Sequence, residues 1–116
     1  MGYIQENQYG DKSVLYANLS GLNESEQIQA IGELEQLSLQ GENVLQLIDL
    51  TGNNTTKKVR AATKNCIKHT TDVVAKTALI STNPLHKTIT EGLSPLEKMR
   101  IHIAKNEEAA LEYLVR

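Results

Sequence analysis

The chain has no Phe and no Trp, and its aromatic content is limited to four Tyr. A core must therefore rest on Leu, Ile, Val and Ala. There is one cysteine, Cys66, which excludes an internal disulfide and makes a reducing compartment the expected setting. Two Pro and seven Gly leave little material for long structureless linkers. Apolar runs such as Val73-Val74-Ala75 and Ala78-Leu79-Ile80 are short, whereas a helix that crosses a membrane needs about 20 apolar residues. The first residues have neither a basic start nor a hydrophobic stretch, so no secretory leader is expected and the cytoplasm is the expected location.

The composition is that of a folded protein. At 116 residues with 40% apolar and 22% charged side chains, one domain covering residues 1–116 is expected. The net charge of −2 is unevenly spread: residues 1–54 carry eight acids against Lys12 alone, and residues 55–116 carry eleven Lys and Arg against six acids. Two faces of opposite sign are expected, a property that governs association rather than fold.

The chain is organised around Val44-Leu45-Gln46-Leu47-Ile48-Asp49-Leu50-Thr51. An apolar, partly branched run of strand length ends at an acid, passes into the polar loop Gly52-Asn53-Asn54-Thr55-Thr56, and opens a basic helical pattern. This is the grammar of a buried parallel strand feeding a crossover helix. Upstream, Tyr3–Tyr9 and Ser13–Leu19 flank Gly10-Asp11-Lys12 and read as an antiparallel hairpin. Asn23 stands three before Glu26, a capping-box pattern. Ile28, Ile31, Leu34 and Leu37 then mark an amphipathic helix to about Gln40, with Gly41 expected as a left-handed terminator.

Downstream, a helix is predicted from about Thr55 to His69, with Val59, Ala62, Cys66 and Ile67 inward. A strand over Asp72–Ser81 follows, then a short helix from Pro84 to about Glu91 closed by Gly92. Leu93–Met99 is a loop or a further turn of helix. Arg100–Ala104 alternates as a last strand, and Asn106 caps a final helix whose stripe is Ala110, Leu111, Leu114 and Val115. The expected fold is α/β: a mixed sheet of about five strands, antiparallel first and parallel afterwards, with about four helices.

This order, with Val44–Gly52 before a Lys-rich helix, resembles a STAS domain, most closely the SpoIIAA-like branch of small stand-alone bacterial proteins. The supporting segments are Leu15–Gly21, Ala78–Leu85 and Glu107–Leu114, and the resemblance covers nearly the whole chain. It implies a fold related to the lipid-exchange CRAL-TRIO domains and a protein-interaction role without catalysis. Anti-sigma-factor antagonists of this family place a phosphorylatable Ser in an Asp-Ser-Ser-Gly-type segment after this strand. Here Thr55 or Thr56 occupies the similar place as a candidate phospho-acceptor, but the motif itself is missing.

In open parallel sheets ligands gather beyond the carboxyl ends of the strands. Those ends carry Asp49, Thr51, Asn53, Thr55 and Thr56 on one loop, and Ser81 and Asn83 on the next, so neighbouring strands would join them into one polar rim. The plainer reading is that these side chains cap helices. Asp49 either supports the loop backbone or stands at the rim beside a Lys. Lys57, Arg60, Lys64 and Lys68 form one helical stripe that could dock an acidic partner, the acidic first helix of a second copy included, or could simply be solvated. Nucleic acid is not expected, because the chain is net acidic and no aromatic residue lies among the basic ones. Cys66 and His69 are three apart but lack companions for a metal site, and no cofactor loop or nucleophile motif occurs.

A non-enzymatic interaction or regulatory module is therefore expected, with a protein partner or self-association, such as a homodimer, as its mode. A carrier of a small apolar, lipid-like ligand is the alternative, and an enzyme comes third.

Overall fold

The computed structural model describes residues 2–51, 56–81 and 91–116. The chain begins with a hairpin of β1 (Ile4–Tyr9) and β2 (Lys12–Asn18), paired antiparallel from Ile4↔Ala17 to Tyr9↔Lys12. A two-residue connection between right-twisted strands needs a residue at positive φ, and Gly10 supplies it at 66°. Then come α1 (Glu24–Leu39), β3 (Val44–Asp49), α2 (Lys57–His69), β4 (Val74–Ile80), α3 (Pro95–Met99), β5 (Ile101–Ala104) and α4 (Glu107–Val115). The helix expected from Pro84 to about Glu91 falls almost wholly outside the described residues.

The sheet order is β1-β2-β3-β4-β5, with β2 to β5 all parallel. The α/β fold with a five-stranded mixed sheet and, among the described residues, four helices is thus the one the sequence pattern predicts. Because every parallel connection steps in the same direction, right-handed crossovers carry their helices to one face of the sheet. On that face α1 and α2 close a core with Ala17, Leu19, Ile48, Leu50 and Leu79. After β5 the chain returns, and α4 covers the other face over Leu45, Leu47, Ala78 and Ile80. Strand alternation sends odd and even residues of β3 to different cores, so Leu45 to Ile48 are all buried. That double burial is why β3 lacks the polar-apolar alternation of a half-exposed strand.

Local signals agree with these elements. Asn23 and Glu26 form the capping box of α1, and Ser94 and Glu97 form a second one that makes α3 a true turn of helix. At the end of α1 the left-handed residue is Asn43, at φ 52°, and not Gly41. Gly41 instead stands in a tight place: a Cβ there would come within 3.1 Å of a Val44 methyl, which would have to give way. On α2 the buried residues are Val59, Thr63, Cys66 and Ile67, with Ala62 only half-buried. Thr63 escapes a hydropathy pattern because its hydroxyl is satisfied within the helix, donating to the Val59 carbonyl at 2.9 Å. The carboxyl end of α4 is held by Lys76, whose Nζ donates to the Tyr113 carbonyl at 3.0 Å, a cation placed where the helix dipole favours one.

Gln46 lies in the middle of β3, fully buried on the α1–α2 face. Its amide nitrogen donates to Ser38 Oγ at 2.8 Å and Thr70 Oγ1 at 3.4 Å, and its oxygen accepts from Thr77 Oγ1 at 2.8 Å. One side chain thereby ties the end of α1, the end of α2 and β4 to the central strand.

Candidate functional site

The carboxyl ends of β2, β3, β4 and β5 lie side by side. Asn18 pairs with Asp49, Asp49 with Ile80, and Ile80 with Ala104. The ladder extends past the strands: the Leu50 N–H donates to the Ile80 carbonyl at 2.9 Å and the Ser81 N–H to the Ala104 carbonyl at 3.1 Å. Asp49 and Ser81 therefore end adjacent strands at the same end of the sheet. Strand alternation sends them to opposite faces, Asp49 toward α4 with Leu47, and Ser81 toward α1 and α2 with Leu79.

Asp49 is half-buried and already engaged. Its carboxylate accepts the Thr51 N–H at 2.9 Å and the Thr51 hydroxyl at 2.5 Å, an Asx-type turn that sets the direction of the chain leaving β3. The Tyr16 hydroxyl donates to its other oxygen at 3.3 Å. Burial under α4 is the main cause of a raised Tyr16 pKa. The nearby carboxylates of Glu107, in the first turn of α4, and of Asp49 push it the same way. Tyr16, Asp49 and Glu107 thus link β2, β3 and the start of α4. Tyr16 was legible as a strand residue but not as Asp49's partner, because only the parallel register brings the two together.

Thr56 caps α2: its Oγ1 accepts the Val59 N–H at 3.2 Å. Asn53, Thr55 and Asn83 lie outside the described residues. The basic residues of α2 fan around the helix. Lys57, Lys58 and Lys68 are exposed, while Arg60 and Lys64 are half-buried. The flank that carries Lys64 and Lys68 turns toward the 91–99 segment. Lys64 Nζ stands 3.9 Å from the Cβ position of Gly92. Glu97 is held below the usual carboxylate range chiefly by the Ser94 backbone N–H, with the Lys68 charge contributing. The opposite flank meets α1, where His69 Nδ1 lies 3.1 Å from Glu35.

Cys66 and His69 diverge. Burial pushes the Cys66 thiol up to about 12, so it stays protonated near neutrality, whereas His69 is at the surface. Among the described residues no group of His, Cys, Asp and Glu gathers to hold a metal ion, and no helix is long and apolar enough to cross a membrane. His102 sits on the α4 side of β5, stacked on Tyr113 with ring centroids 4.7 Å apart, while Ile101 and Ile103 pack on the other face.

A groove of about 690 Å³ lies at the opposite end of the sheet, beside the amino ends of β2, β3 and β4. Leu15, Leu37 and Leu45 form part of its wall, but Glu6, Asp11, Lys12, Glu42 and Lys76 line it as well. An apolar chain would need an enclosed apolar cavity. This groove is open and bears charges of both signs. Compared with known proteins, the chain matches no family model and no curated sequence.

Proposed function

We propose that the chain is a non-enzymatic interaction module, of the regulatory kind that its resemblance to the SpoIIAA-like STAS domains implies. The observation that carries this reading is the exposed face of α2. It presents Lys57, Lys58 and Lys68 with no acid anywhere on the helix, and it begins beside the carboxyl end of β3. A surface of one sign recruits and orients a partner of the other sign. The occupation of the neighbouring polar groups also favours a docking role over chemistry: Asp49 is committed to Tyr16 and Thr51, Thr56 to a helix cap, and the Cys66 thiol to the core.

Replacing Lys57, Lys58 and Lys68 together by Glu tests the reading. Capture of the physiological partner from host extract should be lost, while the circular dichroism spectrum and unfolding midpoint stay close to those of the parent. Capture unchanged by the triple replacement, in a protein that remains folded, contradicts it.

A further inference from the structure

The layer formed by α1 and α2 carries opposite charge on its two helices. Helix α1 contains Glu24, Glu26, Glu33 and Glu35 and no Lys or Arg; α2 contains Lys57, Lys58, Arg60, Lys64 and Lys68 and no acid. On α1 the exposed stripe is Ser25, Gln29, Gly32, Gln36 and Leu39, the last 46% exposed, with the acids on both flanks. The backbone amides of Tyr3 and Ile4 donate to Glu33 at 3.3 and 3.4 Å, which fixes that carboxylate on the β1 side without neutralising it. On α2 the exposed stripe is Lys57, Ala61, Asn65 and Lys68. An acidic helix with an amide-rich, small outer stripe thus lies beside a basic one.

We infer that this layer is the surface on which a second copy of the chain docks, with a two-fold axis between α1 and α2 so that α1 of each copy lies on α2 of the other. The inference rests on the interaction reading given above and names the partner. The sign of each helix selects the geometry. A two-fold contact uses the same patch twice. Laying α1 on α1 sets acids against acids, and α2 on α2 sets bases against bases. Only the crossed arrangement pairs opposite signs at both contacts. Gly32 supports the same geometry. A glycine inside a helix costs roughly 1 kcal/mol relative to alanine, and a Cβ at Gly32 would meet nothing within 4 Å in its own chain. No contact within the monomer calls for it. With Ala61 on the facing helix, it lets two helices approach to the packing distance of about 8–10 Å.

Sedimentation velocity on three forms of the chain tests the inference. One variant carries Lys57→Glu, Lys58→Glu and Lys68→Glu; the other carries Gln29→Lys, Glu35→Lys and Gln36→Lys. The parent chain should sediment at twice the monomer mass, and each variant alone as a monomer. An equimolar mixture of the two should return to dimer mass, because mixing restores opposite signs at both contacts. Circular dichroism confirms that each variant is folded, and the recovery on mixing cannot come from unfolded chains. A monomeric parent, variants that remain dimeric, or a mixture that stays monomeric overturns the inference. If the parent is monomeric while the Lys57, Lys58 and Lys68 replacement still abolishes partner capture, self-docking falls and the interaction reading stands. If capture is also unaffected, both fall.

Discussion

Replacing Gln46 by Leu should destabilise the protein by about 1–2 kcal/mol, although it puts an apolar side chain of similar size into an otherwise apolar strand. The reason is the asymmetry between making a buried hydrogen bond and leaving one unmade. Ser38 Oγ and Thr70 Oγ1 keep their own acceptors after the change, since they donate to the Leu34 and Cys66 carbonyls at 2.7 and 2.8 Å. Thr77 does not: its hydroxyl donates to the Gln46 oxygen, and both residues are buried. One orphaned buried donor costs about 1–3 kcal/mol, offset in part by the added apolar burial. Urea unfolding reads this as a fall of about 1 M in the midpoint, for a slope near 1–3 kcal/mol/M. Removing the orphan as well, with Gln46→Leu and Thr77→Val together, should cost less than the two single changes added, by about 1 kcal/mol. A neutral Gln46→Leu, or strictly additive costs, would refute the view that this network is what fastens both helices to β3.

At a dilution where the chain is monomeric, Gly32→Ala should raise the unfolding free energy by about 0.5–1 kcal/mol, since the residue has a negative φ and open space within its own chain, and a lower midpoint in urea would contradict this. Asp49→Ala should cost about 1–2 kcal/mol through the loss of charge-assisted bonds to Thr51 and Tyr16, and Tyr16→Phe should cost less, because Asp49 keeps Thr51; thermal melts of the two variants give the order. Stability should decline as pH rises above about 9. The folded Cys66 pKa is raised from 9.0 to about 12, so its contribution is complete below 9.0 and is lost through that window, at up to about 1.4 kcal/mol per pH unit. Cys66→Ala should flatten that part of the profile, and an unchanged alkaline slope would sink the assignment. In the native protein at neutral pH, Cys66 should resist alkylation until the chain is unfolded.

Hydrophobic pattern and caps made most of the architecture readable. The central strand announced itself because both its faces are buried, and Asn23, Asn106 and Gly10 mark boundaries by local chemistry alone. What stayed hidden depends on register. Gln46 reads in sequence as a polar lapse in an apolar run, yet it is the junction of two helices and two strands. The pairing of Tyr16 with Asp49 requires the parallel alignment of β2 and β3, which no local pattern encodes. Gly41 was visible as a terminator, but its close approach to Val44 was not. For the candidate surface, the basic character of α2 was plain from composition. That one flank of α2 meets α1 through His69 and Glu35, while the other faces Gly92 and Glu97, follows only from how the helices lie in the layer.

The lysines are spread so that one labelling experiment can locate the working surface. Lys57, Lys58 and Lys68 are exposed on α2; Lys98 and Lys105 are exposed elsewhere, on α3 and after β5. Amine-reactive labelling, followed by mass spectrometry, should be run on the chain alone at high dilution and again in its associated state. The account predicts that Lys57, Lys58 and Lys68 become protected on association while Lys98 and Lys105 label as before. Protection of Lys98 and Lys105 with the α2 lysines still reactive would contradict it.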